Sequence, residues 1–279
     1  MTPKEAYEYA WIHGPSDETR KIACGEPELA HGYAKFIDKE PRDDTREAAC
    51  KNSYWACFYA LEVDQCPRDD TREATYTDEG HTYLYARKVD EGPREDTRNI
   101  VCKNPQAAFA YALNIDKKSR KDTRKAACMD AQWVFLYALE VDQCSRDDTR
   151  EAACKHPRWV YEYAKNVDKC SRDDTRNAAC VNPNFALEYA KNVDKCPRED
   201  TRNAACRNPI CAYEYAKDVD KCPREDTRNA ACRKPICAYK YAKDVDKCFH
   251  EKTRNAVKNT EYEEKYELLL NLFSKEEII

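Results

Sequence analysis

Apolar residues recur along this chain in short bursts with helical spacing. Ala56, Tyr59, Ala60 and Val63 stand at i, i+3, i+4 and i+7, which places them on one face of a helix. Just upstream, in PRDDTREAACK (41–51), Thr45, Ala48 and Ala49 make a shorter stripe of the same kind. The pattern predicts two helices, 41–51 and about 54–64, joined by a polar turn. Pro41 suits a first helical turn, and Ser119, Ser145 and Ser171, at the same place in other copies, suit a cap. The acidic pairs that follow meet the positive end of the helix dipole. Asn-Pro at 104–105, 182–183 and 208–209 stops the first helix, because a residue before proline avoids the α region.

The pair of helices repeats. Thr-Arg stands at 19, 45, 71, 97, 123, 149, 175, 201, 227 and 253, always 26 residues apart. CPREDTRNAACRNPICAYEYAKDVDK (196–221) is followed at once by CPREDTRNAACRKPICAYKYAKDVDK, changed only at Asn208/Lys234 and Glu214/Lys240. A fixed period of this size is the signature of a solenoid. Helices this short are unstable alone, so stacking must supply the core. The expected fold is therefore all-α, an α-solenoid built as a superhelical stack of two-helix repeats. The expected divisions are an N-terminal capping helix (1–15), the repeat solenoid (16–248), and a degenerate last repeat with a C-terminal capping helix (249–279).

The stretch AFAYALNIDKKSRKDTRKAACMD (108–130) carries Ala-x-x-Tyr-Ala, an Asp/Arg-rich turn and Thr-Arg-x-Ala-Ala. It resembles an uncharacterised, domain-of-unknown-function family of short two-helix repeats, associated with large DNA viruses, protists and some intracellular bacteria. The chain departs from that family by its many cysteines and its regular Asp-Arg turn. The resemblance implies the fold and carries no activity. It also makes a host-cell cytoplasm the expected setting if the source is a virus or an intracellular bacterium.

Charge and chemistry refine this picture. The net charge of −4 gives no general pull towards nucleic acid or anionic membrane. It hides a gradient, with 21 Lys+Arg against 26 Asp+Glu in residues 1–140 and 23 against 19 in 144–253. The 17 cysteines fall into three registers: eight end the first helix, six precede the next copy, and three lie in the second helix. No C-x-x-C occurs, so the reading is reduced thiols acting as small hydrophobes in a reducing cytoplasm, with no metal site. Asp38, Arg42, Asp44, Arg46 and their copies read as a salt-bridge ladder between repeats. Trp55, Trp133, Trp159 and Phe185 share one register and read as packing. No nucleophile, Walker or dinucleotide motif stands out, so neither an enzyme nor a cofactor is expected.

Function should then lie where the copies differ. The outward face of the first helix carries Glu47 and Lys51 in the second copy. Later copies have Asn177, the pair Asn203 and Arg207, and the pair Asn229 and Arg233. These are the candidate partner-binding residues. The expected partner is a protein or peptide, the alternative a single-stranded nucleic acid read by those variable side chains.

Overall fold

The computed structural model describes residues 1–276; residues 277–279 of the expected C-terminal segment lie outside them. All the described elements are helical. The chain forms two compact units, Met1–Asp142 and Gln143–Ile279. Within each, successive helix pairs stack as an α-solenoid. The division falls at one of the turns between copies, which the repeat register does not single out.

In the second copy the first helix is Asp43–Ala49. The second begins as Ser53–Tyr59 and widens into a π-helical turn, Ala60–Asp64. Gln65 follows in the left-handed region at φ 52° and ends it. Most copies end alike, and the residue in that strained position is Lys, Gln or Glu and never glycine, although glycine adopts it at least cost. The third copy departs, with one continuous helix Glu79–Lys88.

The core repeats as faithfully as the sequence. Tyr59, Tyr85, Tyr111, Tyr137, Tyr163, Tyr189, Tyr215 and Tyr241 have no solvent exposure, and neither do Thr45 and most of its copies. Between copies small side chains meet large rings: Ala34 packs with Ala49 and Tyr59, and Ala112 with Ala127 and Tyr137. Alanine at these seams lets short helices approach closely. The N-terminal helix Pro3–His13 repeats the contact, with Ala10 on Ala23 and Tyr33. At the other end Tyr266 and Leu269 of Glu263–Glu276 cover Val257.

Each tyrosine also works as a latch. The Tyr59 hydroxyl lies 2.8 Å from Oγ1 of Thr45 and accepts the amide of Arg42 at 3.0 Å. Arg42 is the residue that opens the first helix, and it has no side-chain cap. The tyrosine from the partner helix thus satisfies an end that serine or proline was expected to cap.

The Asp-Arg ladder is placed differently from expectation. Its strongest rung joins the two helices of one copy, not neighbouring copies. Arg46 clamps Asp64 through Nε at 3.0 Å and Nη2 at 2.7 Å, with both side chains buried. Links to the next copy range more widely, from Arg150–Asp174 at 2.9 Å to Arg176–Asp200 at 3.5 Å and Arg20–Asp44 at 3.9 Å. The arginine also lies over the latch tyrosine, 5.6 Å from the Tyr59 centroid, a cation–π arrangement.

The clamp opens in the copy of Ser145, although it stays at 3.1 Å in the copy of Ser171. Where proline precedes the first helix, as in the copies of Arg46, Arg202 and Arg228, the shortest Arg–Asp contact is 2.7 Å. Where Ser145 replaces it, the hydroxyl bonds both Asp168 and Arg150, and Arg150–Asp168 opens to 3.8 Å. Arg150 turns instead to Asp174 of the next copy, at 2.9 Å. Asp168 Oδ2 is left buried with no hydrogen-bond donor. Burial accordingly raises the Asp168 pKa, opposed by the Ser145 hydrogen bond and the Arg150 charge.

A carboxyl with a raised folded-state pKa binds more protons folded than unfolded, so it lowers stability as pH rises through that window. Ser145→Pro should close the clamp and stiffen the unfolded chain, raising stability by ~0.5–1 kcal/mol. The gain should be larger at neutral pH than below the ordinary aspartate range of about 4. Thermal melts across pH check this, and a loss of stability at neutral pH would refute the assignment.

The three cysteine registers map onto three environments. Cys66, Cys144, Cys170, Cys196, Cys222 and Cys248 are exposed, the eight at first-helix ends are half-buried, and Cys57, Cys211 and Cys237 are buried. Burial pushes Cys50 up to about 11 and Cys57 up to about 12, which withholds the reactive thiolate. A colorimetric thiol reagent on the native protein should therefore show one fast phase of six. The remaining eleven should react only after unfolding.

Candidate binding surfaces

Three surfaces of the repeat array carry distinct chemistry. The expected row is exposed throughout: Glu47, Lys51, Asn177, Asn203, Arg207, Asn229 and Arg233 all face solvent. Its arginines are not free, however. Arg207 donates from Nη2 to the Cys180 carbonyl and Arg233 to the Cys206 carbonyl, each clasping the preceding copy. Asn229 accepts from Lys252 at 2.8 Å, and Lys252 also bonds Glu225. Asn203 borders a shallow dish with Arg198, Glu199 and Asp200. The first turn of the same helices carries exposed Asp147, Asp173, Glu199 and Glu225, so an acidic row runs beside the Asn/Arg row.

On the second helices, neighbouring copies are tied by polar pairs. Tyr161 accepts from Asn192 at 3.0 Å, and Lys191 pairs with Asp218 at 2.8 Å. In Met1–Asp142 the equivalents of Lys191 include Leu61, Leu113 and Leu139. This face is largely self-satisfied in one unit and more apolar in the other.

The third surface is not repeated. Near the start of the chain a cavity of about 390 Å³ opens beside the second helix of the first copy, Pro27–Gly32 continued by Tyr33–Asp38. Three residues there break register: His31 where other copies have an aromatic, Leu or Cys; Gly32 where the next two have Phe58 and Leu84; Phe36 where they have Glu62 and Lys88. The missing side chain of Gly32 is filled by the Tyr7 ring, which would sit 3.2 Å from any Cβ there. His31 is buried, its Nε2 2.9 Å from a Glu62 oxygen that also holds the Lys35 ammonium at 2.9 Å. Burial lowers the His31 pKa, against the pull of Glu62, so the ring is neutral at pH 7. Sequence reading passed over these residues because it followed what the copies share. The departures from register were the available signal.

One further cluster has the composition of a catalytic triad and the wrong geometry. Ser53 Oγ lies 2.9 Å from Nδ1 of His81, and Asp78 Oδ1 lies 3.3 Å from that same nitrogen. A base that activates a serine needs its two partners on opposite ring nitrogens. Asp78 is in fact the helix cap, accepting the His81 amide at 2.8 Å. Among the described residues, no group of three or more His, Cys, Asp or Glu side chains could hold a metal ion, and no helix is long and apolar enough to cross a membrane. No protein-family model, curated protein or solved structure matches the chain.

Proposed function

We propose that the chain is a non-enzymatic helical-repeat scaffold that binds a macromolecular partner, most favourably a protein or peptide, in a reducing cytoplasm. The core positions are spent on holding copies together, and the outward residues vary from copy to copy, as solenoid binding surfaces do. The observation that carries the choice of partner is the exposed acidic row, Asp147, Asp173, Glu199 and Glu225, beside the Asn/Arg row. Asp147, Asp173 and Glu225 hold Arg150, Arg176 and Lys252 in ion pairs and so withdraw those cations from a phosphate backbone, while a protein surface accommodates mixed charge. The clasped Arg207 and Arg233 also have fewer donors left for phosphates.

Two measurements test the reading. Affinity capture with and without nuclease should retain its protein partners after digestion. Single-stranded RNA and DNA should bind weakly, with little salt dependence. Counterion release gives log K a slope of about −0.7 per phosphate contacted, so submicromolar binding with a slope steeper than about −3 would replace the protein reading by the nucleic-acid one.

A further inference from the structure

The cavity beside His31, Gly32 and Phe36 is a surface that the repeat does not explain, and its chemistry is specific. Its walls include Tyr7, Phe36, Tyr54, Trp55 and Phe58. Phe36 and Tyr54 are 46% and 41% exposed, unusually open for large rings, while His31 at the base is buried. Two carboxylates, Glu28 and Glu62, face it against one ammonium, Lys35. With His31 neutral, the lining carries one net negative charge. Negative charge among aromatic faces favours a cation.

The chain already places cations in this way. Lys35 Nζ lies 4.9 Å from the Phe36 centroid while bonded to Glu62 at 2.9 Å. In the copy where Arg158 and Trp159 take the places of Tyr54 and Trp55, the guanidinium sits 4.9 Å over the indole. A planar guanidinium can grip Glu62 with two parallel hydrogen bonds and stack on the rings at once, which an ammonium cannot. Lys35, a third exposed at its side chain, is free to swing out to water when displaced.

We propose that this cavity is an arginine pocket: it takes the side chain of an arginine presented by a peptide partner, held by Glu62 and by the rings of Phe36, Tyr54 and Trp55. The proposal rests on the protein-or-peptide reading above and adds a specificity to it. It also accounts for the three register breaks together. Gly32 lets the Tyr7 ring in as one wall, Phe36 supplies another, and neutral His31 lies against the Glu62 carboxylate without cancelling its charge.

The test is calorimetric titration of the full chain with the capped tripeptide Ac-Ala-Arg-Ala-NH2, and with the same peptide carrying citrulline or lysine. Citrulline keeps the shape of arginine and removes the charge. Saturable one-to-one binding of the arginine peptide is expected, about tenfold tighter than citrulline and several-fold tighter than lysine. Phe36→Ala, Tyr54→Ala and Glu62→Gln should each weaken the arginine peptide by about tenfold, with unchanged circular-dichroism melts for the two exposed aromatics. Equal binding of arginine and citrulline, equal binding of arginine and lysine, or no heat of binding with the arginine peptide would each overturn the proposal. These outcomes are independent of the scaffold reading. A steep salt slope with RNA would remove that reading while leaving the tripeptide data intact, and loss of arginine selectivity would remove only the pocket.

Discussion

Tyr163→Ala is expected to cost about 3–5 kcal/mol, the range for truncating a fully buried aromatic. Tyr163 has no solvent exposure, and its hydroxyl lies 2.7 Å from Oγ1 of Thr149 and accepts the Arg146 amide at 3.2 Å. Alanine would empty the ring's place, take away the partner of the Arg146 amide at the start of Asp147–Ala153, and leave the Thr149 hydroxyl with only the Arg146 carbonyl. Tyr163→Phe separates the two parts. It keeps the ring and removes only the latch, for a loss of ~1–2 kcal/mol. Since copies are coupled mainly to their neighbours, the damage should appear as partial unfolding of Gln143–Ile279 in hydrogen exchange, strongest at 145–190. If the alanine variant melts like the parent, the buried face has been misassigned.

Arg202→Met should be nearly as damaging, at about 3–5 kcal/mol, because it leaves a buried carboxylate without its partner. Arg202 holds Asp220 through Nε at 3.1 Å and Nη2 at 2.7 Å, with both side chains almost wholly buried. The double variant Arg202→Met/Asp220→Leu should recover most of the loss, since replacing both members of a buried pair by apolar groups of similar size is often neutral. Chemical denaturation of the two variants decides the matter. A double variant as unstable as the single one would mean that the pair does more than neutralise a buried charge. The same change at Arg150, whose clamp on Asp168 is already open at 3.8 Å, should cost less.

Much of this was legible in the residues. Period 26 with Tyr-Ala and Thr-Arg in fixed register leaves few ways to bury a continuous stripe, and the Tyr59 and Thr45 positions went inside as the i, i+3, i+4 pattern required. The cysteine registers sorted into environments for the same reason, since register sets depth. What escaped sequence reading depends on distances between segments. Ser145 looked like a cap, yet its hydroxyl enters an ion pair whose aspartate is 23 residues away. The ladder looked like a tie between copies, yet an arginine finds the aspartate 18 residues on, within its own copy. The π turn and its left-handed lysine or glutamine carry no residue signature, because glycine is absent there. At the cavity, His31, Gly32 and Phe36 were each visible as departures, but only the fold brings them against Tyr7, Tyr54 and Glu62.

The placement of the clamp inside each copy has a genetic consequence. The Arg46–Asp64 pair and the Thr45–Tyr59 latch both close within one 26-residue block, and a neighbour is asked chiefly for an alanine seam. An in-frame duplication or deletion of one block therefore keeps the clamp and latch of every remaining copy whole, and only ties between particular copies, such as Lys191–Asp218, need a matching neighbour. Blocks 196–221 and 222–247, which differ at two positions, are what such an event leaves behind. Recombination between copies can thus lengthen or shorten the gene by whole units, with each product foldable from the start, while single substitutions on the outward faces diversify what the array recognises.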